Sequence, residues 1–181
     1  MSINQKLKLG SLAGTLEGLP FALSLSDLTL PDQPLIFMNA QFRDMTGYGE
    51  EQLGQNCRFL QGDLENTEAR AEIRLALQSG RRTQVVLQNR RKDGSQFANL
   101  LLLDHVGDQN TKMQFAVGTQ FELSEADLDI LNNVAPTIGD RAIDKVSDAA
   151  LRIRLQRRRI ASDSATRLLN SWMILNEMKR A

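Results

Sequence analysis

The hydrophobic period changes along the chain in an order that predicts an α+β fold. Two segments alternate with period two near the start, a stretch with period three to four follows, and three more alternating segments come next. Strands segregated from helices point to a five-stranded antiparallel sheet with helices on one face. The last third reads as a helical extension. The 181 residues suit one domain of about 100–150 residues with an appendage.

Residues 1–20 space Ile3, Leu7, Leu9, Leu12, Leu16 and Leu19 in a partly helical pattern, interrupted by Gly10, Gly14 and Gly18. One or two short amphipathic helices, docked through their leucines, are expected there. Phe21 to Leu30 alternates as a half-buried strand does. Pro31-Asp32-Gln33-Pro34 is a loop, because neither proline donates a ladder hydrogen bond. Leu35 to Met38 is a second strand, making an antiparallel hairpin with the first.

From Asn39 the spacing shortens. Phe42, Met45 and Tyr48 recur every three residues, and Leu53, Cys57 and Leu60 fall at four and three. Ala69, Ile73, Ala76 and Leu77 line one face of a clearer helix that Gly80 stops. Period two then returns. Gln84 to Leu87 is a strand, Lys92-Asp93-Gly94 a hairpin turn, Gln96 to Leu103 a strand, Asp108-Gln109-Asn110 a turn, and Met113 to Phe121 the last strand. Ser124 caps a helix with acidic residues in its first turn, and Pro136 ends it. Ser147 to Ile160 and Ser164 to Lys179 read as two more helices. The second carries Ala165, Leu168, Leu169, Trp172, Leu175 and Met178 on one broad face.

Composition excludes several classes. Twenty-two basic residues balance twenty-two acidic ones, so any nucleic-acid surface must be a local patch. No apolar run approaches the ~18 residues of a membrane span, and the first residues lack the apolar core of a signal peptide. One cysteine, Cys57, and one histidine, His105, leave neither an internal disulfide nor a metal site. A reducing, cytoplasmic compartment is expected.

The informative stretch is Gly54-Gln55-Asn56-Cys57-Arg58-Phe59-Leu60-Gln61-Gly62. Taken alone, Cys57 reads as a small buried hydrophobe, and no general base lies nearby. The nonapeptide resembles the signature of LOV domains, the flavin-binding photosensory branch of the PAS family. Arg74 falls where the family places a second phosphate-binding arginine, and Asn89 and Asn99 flank the hairpin turn where it has two ring-binding asparagines. Gly118-Thr119-Gln120 resembles its final strand. The resemblance covers roughly residues 21–123. It implies a PAS/LOV fold there, with 1–20 as an N-terminal helical cap and 124–181 as a C-terminal helical extension for output or dimerisation.

The residue types suit a flavin, and FMN is the cofactor the resemblance implies. Carboxamides offer both a donor and an acceptor, so Gln61, Asn89, Asn99 and Gln120 can meet a ring edge without adding charge. Arg58 and Arg74 can hold a phosphate through charge-assisted hydrogen bonds. Asn56 is implied at the ribityl chain or ring edge, and Leu101 as part of the wall, where larger residues are common in the family. Asp63 stands where a basic residue is frequent. In the family, blue light leads the cysteine sulfur to add reversibly to ring carbon C4a while N5 gains a proton. Here the sulfur would belong to Cys57, and Gln120, facing N5, would turn its carboxamide over. A buried donor left facing a donor costs about 1–3 kcal/mol, enough to bias a two-state element.

Gln120 lies four residues before Ser124, so a light-driven change is expected to reach the flanking helices. No enzymatic output domain fits after Ser124, and the expected output is an interaction: a homodimer with light-dependent assembly, or an unknown protein partner. The broad face around Leu168 and Trp172 could instead pack on the chain's own sheet. An alternative uses Arg152, Arg154, Arg157, Arg158 and Arg159 as a DNA patch, with Ser162-Asp163-Ser164 as the turn of a helix-turn-helix. Those five arginines fall within eight residues, but residues 125–181 hold ten basic and eight acidic residues, only +2. A flavin-binding PAS module without a photocycle, a PAS module for another small ligand, and a flavoenzyme are the other readings, the last without a Gly-rich phosphate loop to support it.

Overall fold

The computed structural model describes residues 9–107, 113–134 and 149–178. Helix α1 (Ser11–Glu17) leads into strands β1 (Ala22–Asp27) and β2 (Leu35–Met38). Helix α2 (Ala40–Thr46), two short 3₁₀ turns (Glu50–Gln52 and Cys57–Leu60) and helix α3 (Thr67–Gln78) follow. Strands β3 (Thr83–Arg90), β4 (Gln96–Val106) and β5 (Phe115–Leu123) complete one sheet, and helices α4 (Glu125–Val134) and α5 (Ala149–Met178) close the described chain. The expected turn at Asp108-Gln109-Asn110, the stop at Pro136, the helix start at Ser147, and Ile3 and Leu7 lie outside the described residues.

The sheet is antiparallel throughout, in the order β2-β1-β5-β4-β3. The β1–β2 hairpin forms as read from the sequence, with an irregularity between Leu25 and Ser26. The helices between β2 and β3 cover one face, as expected, and α1 and the C-terminal extension cover the other. On the inner face, Phe42 of α2 and Leu60 of the second 3₁₀ turn pack with Ala22, Leu35 and Met38. The outer face carries Leu23, Leu25, Leu100, Leu102 and Leu123, which must also leave water. Leu12 and Leu16 of α1 and Ala165, Leu169 and Met173 of α5 cover Leu23, Leu25 and Val117. Leu131 of α4 and Leu151 and Leu155 of α5 cover Ala98, Leu100, Leu102 and Leu123. The extension therefore packs on its own sheet through half of its predicted broad face. Leu168, Leu175 and Met178, with Ile153, Ile160 and Ile174, stay on the exposed side of α5.

The two predicted C-terminal helices are one. The helix α5 runs unbroken through Ser162-Asp163-Ser164, for about 45 Å. Serine and aspartate favour helix breaks because their side chains compete for backbone groups. Here those side chains have other partners. Ser162 Oγ donates to the buried Asp104 Oδ2 at 2.9 Å, and Asp163 pairs with Arg82 Nη2 at 2.6 Å. Arg82 also bonds Asp104, so β3, β4 and α5 meet in one polar cluster. Ser164 Oγ bonds back to the Ile160 carbonyl at 2.9 Å, within the helix.

The arginine run is divided by the same docking. Arg154 and Arg158 both face the carboxylate of Asp127 in α4. The Arg158 guanidinium also lies 5.4 Å from the centre of the Phe121 ring, on the outer face of β5. Arg154 and Arg158 thus serve intramolecular packing, and α5 continues unbroken to Met178 where a helix-turn-helix would turn.

Asn39 locks the start of the sheet to α2. It is fully buried and caps α2 by accepting from Phe42 N at 3.0 Å. The same oxygen accepts from Leu23 N at 2.9 Å, and Nδ2 donates to the Phe21 carbonyl at 2.8 Å. Replacing Asn39 with Ala leaves two buried N–H groups and a carbonyl without these partners. The expected loss is about 3 kcal/mol of unfolding free energy, read from urea melts of the purified chain.

Candidate functional site

Strand side chains two residues apart share a face, so β1, β3, β4 and β5 each deliver their even or odd residues to one cavity. β1 contributes Ser24 and Ser26, β3 Leu87 and Asn89, β4 Asn99, Leu101 and Leu103, and β5 Ala116, Gly118 and Gln120. The opposite wall is Cys57, Leu60 and Gln61 of the 3₁₀ segment with Ile73 and Leu77 of α3. The cavity opens to solvent at its mouth. Its walls are mainly aliphatic with a few amides and hydroxyls.

Register sets the polar groups against one another. Leu101 pairs with Gln120 and Ser24 with Gly118 across neighbouring strands. Asn99 Nδ2 donates to Gln120 Oε1 at 3.3 Å, and Gln120 Nε2 donates to Ser24 Oγ at 3.0 Å. Gly118 is required by close approach: a Cβ there would sit 2.8 Å from Ser24 Oγ and 3.3 Å from Leu101 Cδ1. Asn89 and Asn99 are each 1% exposed, yet their Oδ1 atoms have no hydrogen-bond partner. A buried carbonyl without a donor is costly, and these two project from strands into the cavity.

Cys57 opens the second 3₁₀ turn. Asn56 caps that turn with Oδ1 on Arg58 N at 3.0 Å, and its Nδ2 donates to the Asp32 carbonyl at 2.7 Å. This ties the Cys57 segment to the β1–β2 loop, where Asp32 and Gln33 both take positive φ. Most of the Asn56 carboxamide's capacity is thus committed within the protein, although the residue borders the cavity. Burial pushes the Cys57 thiol up to about 11, and hydrogen bonds with Ser26 and Ser24 act in the opposite direction. At neutral pH the group is a thiol rather than a thiolate.

The cavity mouth is basic. Arg58, Arg70 and Arg74 line it together with Gln33 and Leu77. Arg58 Nη1 pairs with Asp32 Oδ1 at 2.7 Å, both side chains being more than half exposed. Arg70 Nε donates to Gln61 Oε1 at 2.7 Å. The structure therefore brings Asn56, Cys57, Arg58, Gln61, Asn89, Asn99, Leu101 and Gln120 to one cavity, and sets Arg74 at its mouth rather than inside. Ser24, Ser26 and Arg70 are site residues that sequence reasoning missed. The serines are the polar half of the alternation in β1 and read as solvent-facing, but Ser24 is 5% exposed and faces the cavity.

The donor set fits a planar, uncharged heterocycle with an anionic tail. Carboxamides supply donors and acceptors without charge, the orphaned Asn89 and Asn99 oxygens await donors, and arginines wait where the tail would leave. Among the described residues, no group of three His, Cys, Asp or Glu side chains could hold a metal ion, and no helix is long and apolar enough to cross a membrane.

If burial sets the thiol, alkylation of Cys57 by iodoacetamide should climb steadily as pH rises from 7 to 10 without levelling. Ser26→Ala removes a bond that favours the thiolate, so its rate should be lower at every pH in that range.

The PAS domain family matches residues 23–125. A bacterioopsin transcriptional activator of Halobacterium salinarum is 40% identical over 111 residues, covering 61% of this chain and 16% of that protein. A blue-light photoreceptor of Listeria monocytogenes is 41% identical over 101 residues, covering 55% of this chain and 40% of that protein. The chain thus spans well under half the length of either relative. The crystal structure of the Rhodobacter sphaeroides LOV protein superposes with a TM-score of 0.62 at 35% identity, covering 95% of this chain and 98% of that one. That likeness extends beyond the sheet into the flanking helices, and by it the chain belongs to the PAS domain family, in the LOV branch.

Proposed function

We propose that this chain is a blue-light sensor that binds FMN in the cavity behind Cys57 and reports illumination through its flanking helices. The observation that carries this reading is the placement of one cysteine on the wall of a cavity whose buried asparagine oxygens lack partners. When bound, the flavin would supply a ring that blue light excites, and Cys57 would give that ring its sulfur and its thiol proton, both returning in the dark. Burial suits Cys57 to that role, because a group kept as a thiol carries its proton with it. Asn89, Asn99 and Gln61 orient the ring edge, Leu101 packs on its plane, and Asn56 holds the Cys57 turn in place. Arg58 and Arg74, with Arg70 beside them, hold the phosphate at the mouth.

Gln120 is the relay. Its carboxamide can present either an oxygen or an amino group to the ring, and its neighbour Phe121 points to the opposite face, beneath Arg158 of α5. Arg158 Nη2 also donates to the Glu122 carbonyl at 3.3 Å. A change at Gln120 therefore meets α5 one residue later. Residues 21–123 act as the sensing unit, and residues 1–20 and 124–181 as the responding one. The output is an interaction in the cytoplasm rather than catalysis. The exposed apolar side of α5 supports a second copy of the chain or a protein partner as its target, since such surfaces are recognition sites.

The purified chain should be yellow, with blue absorption bands that fade under illumination and return in darkness. Cys57→Ala should keep the bands and lose the fading; reversible fading in that variant would exclude Cys57. Arg58→Gln combined with Arg74→Gln should weaken FMN at least tenfold more than riboflavin by fluorescence titration, as loss of two charge-assisted contacts implies.

A further inference from the structure

Ser24 lies between the two side chains to which the proposed photocycle assigns roles. It sits on β1 facing the cavity, 5% exposed, with Oγ accepting from Gln120 Nε2 at 3.0 Å. Gly118, its cross-strand neighbour, leaves the space its hydroxyl occupies. The far end of the Gln120 carboxamide is held by Asn99 Nδ2 at 3.3 Å. Gln120 is thus gripped at both ends, by an amide on one side and a hydroxyl on the other.

The two grips differ chemically. An amide that turns over exchanges its oxygen and its amino group. A hydroxyl carries one hydrogen and two lone pairs, and its hydrogen rotates freely about the C–O bond. We propose that Ser24 is a positioning residue for Gln120, accepting from its amino group in darkness and donating to its oxygen after the turn, so that neither orientation leaves the Ser24 side unpaired. Asn99 meets Gln120 through its amino group, so it has to turn its own carboxamide to stay paired, whereas the hydroxyl only rotates its hydrogen. Ser24 and Cys57 line the same cavity from opposite walls.

Removing the hydroxyl has a direction. With Ala at position 24, the resting Gln120 Nε2 loses its acceptor and a buried N–H is orphaned. The turned form exposes an oxygen there instead, and an under-satisfied carbonyl oxygen is tolerated better than an orphaned donor. The resting state is raised more than the turned one, and return to it slows.

This proposal rests on the flavin reading, and the experiment separates the two. Native chain, Ser24→Ala and Ser24→Thr, each purified with its flavin, are illuminated and followed by visible absorption and by light-minus-dark infrared spectroscopy. The glutamine carbonyl band that disappears in Gln120→Leu identifies Gln120. Ser24→Ala should recover about tenfold more slowly, as one unpaired buried donor implies, with the Gln120 band shifted. Ser24→Thr keeps the hydroxyl and should restore both recovery and band. Native recovery and an unshifted band in Ser24→Ala overturn the proposal, and so does a Thr variant that behaves as the Ala variant does. A native chain that never bleaches removes the flavin reading, and this inference with it.

Discussion

Asn89 and Asn99 each hold a carboxamide oxygen inside the sheet where no protein donor reaches it. Each is fixed by its strand. The residues on either side point to the other face, so the side chain cannot turn away without breaking the ladder. Leaving such an acceptor unpaired costs on the order of 1–3 kcal/mol. The fold bears that cost twice within one apolar chamber. The arrangement is sensible for a chamber built around a partner molecule with donors on its edge. The rest of the site follows from that demand: aliphatic walls, a glycine where strands and side chains crowd, a thiol on the facing turn, and guanidinium groups at the exit.

Much of the sheet was legible because its signals are local. Alternation located all five strands, and the proline-bounded loop between Leu30 and Leu35 fixed the first hairpin. The residues around Cys57 were legible for a different reason, since a nine-residue run carries its own identity. What escaped depended on partners remote in sequence. Ser162 and Asp163 carry the composition of a turn, and only Asp104 and Arg82, 58 or more residues away, turn them into a helix interior. Ser24 and Ser26 looked like the wet side of a half-buried strand, because alternation cannot separate a side facing water from a side facing an internal chamber. Arg70, one turn before Arg74 on the same helix, was hidden by its bond to Gln61.

The extension shows how one helix can serve two surfaces. Leu151, Leu155, Leu169 and Met173 face the sheet and are almost wholly enclosed. Ile160, Ile174, Leu175 and Met178 face away and stay more than half exposed. A single broad apolar face, as the sequence implies, would have been satisfied by one partner. The arginines follow the same division, with Arg154 and Arg158 turned inward onto Asp127 and Phe121.

The polar cluster of Arg82, Asp104, Ser162 and Asp163 lies close to the midpoint of α5. A stiff rod fastened at its centre swings instead of sliding. The Arg158 side of that fulcrum rests on the strand that carries Gln120, and the opposite arm rests on α1. Both arms also rest on β5, through Phe121 on one side and Val117 on the other, so the anchor, the strand and the N-terminal helix are joined through a single rod.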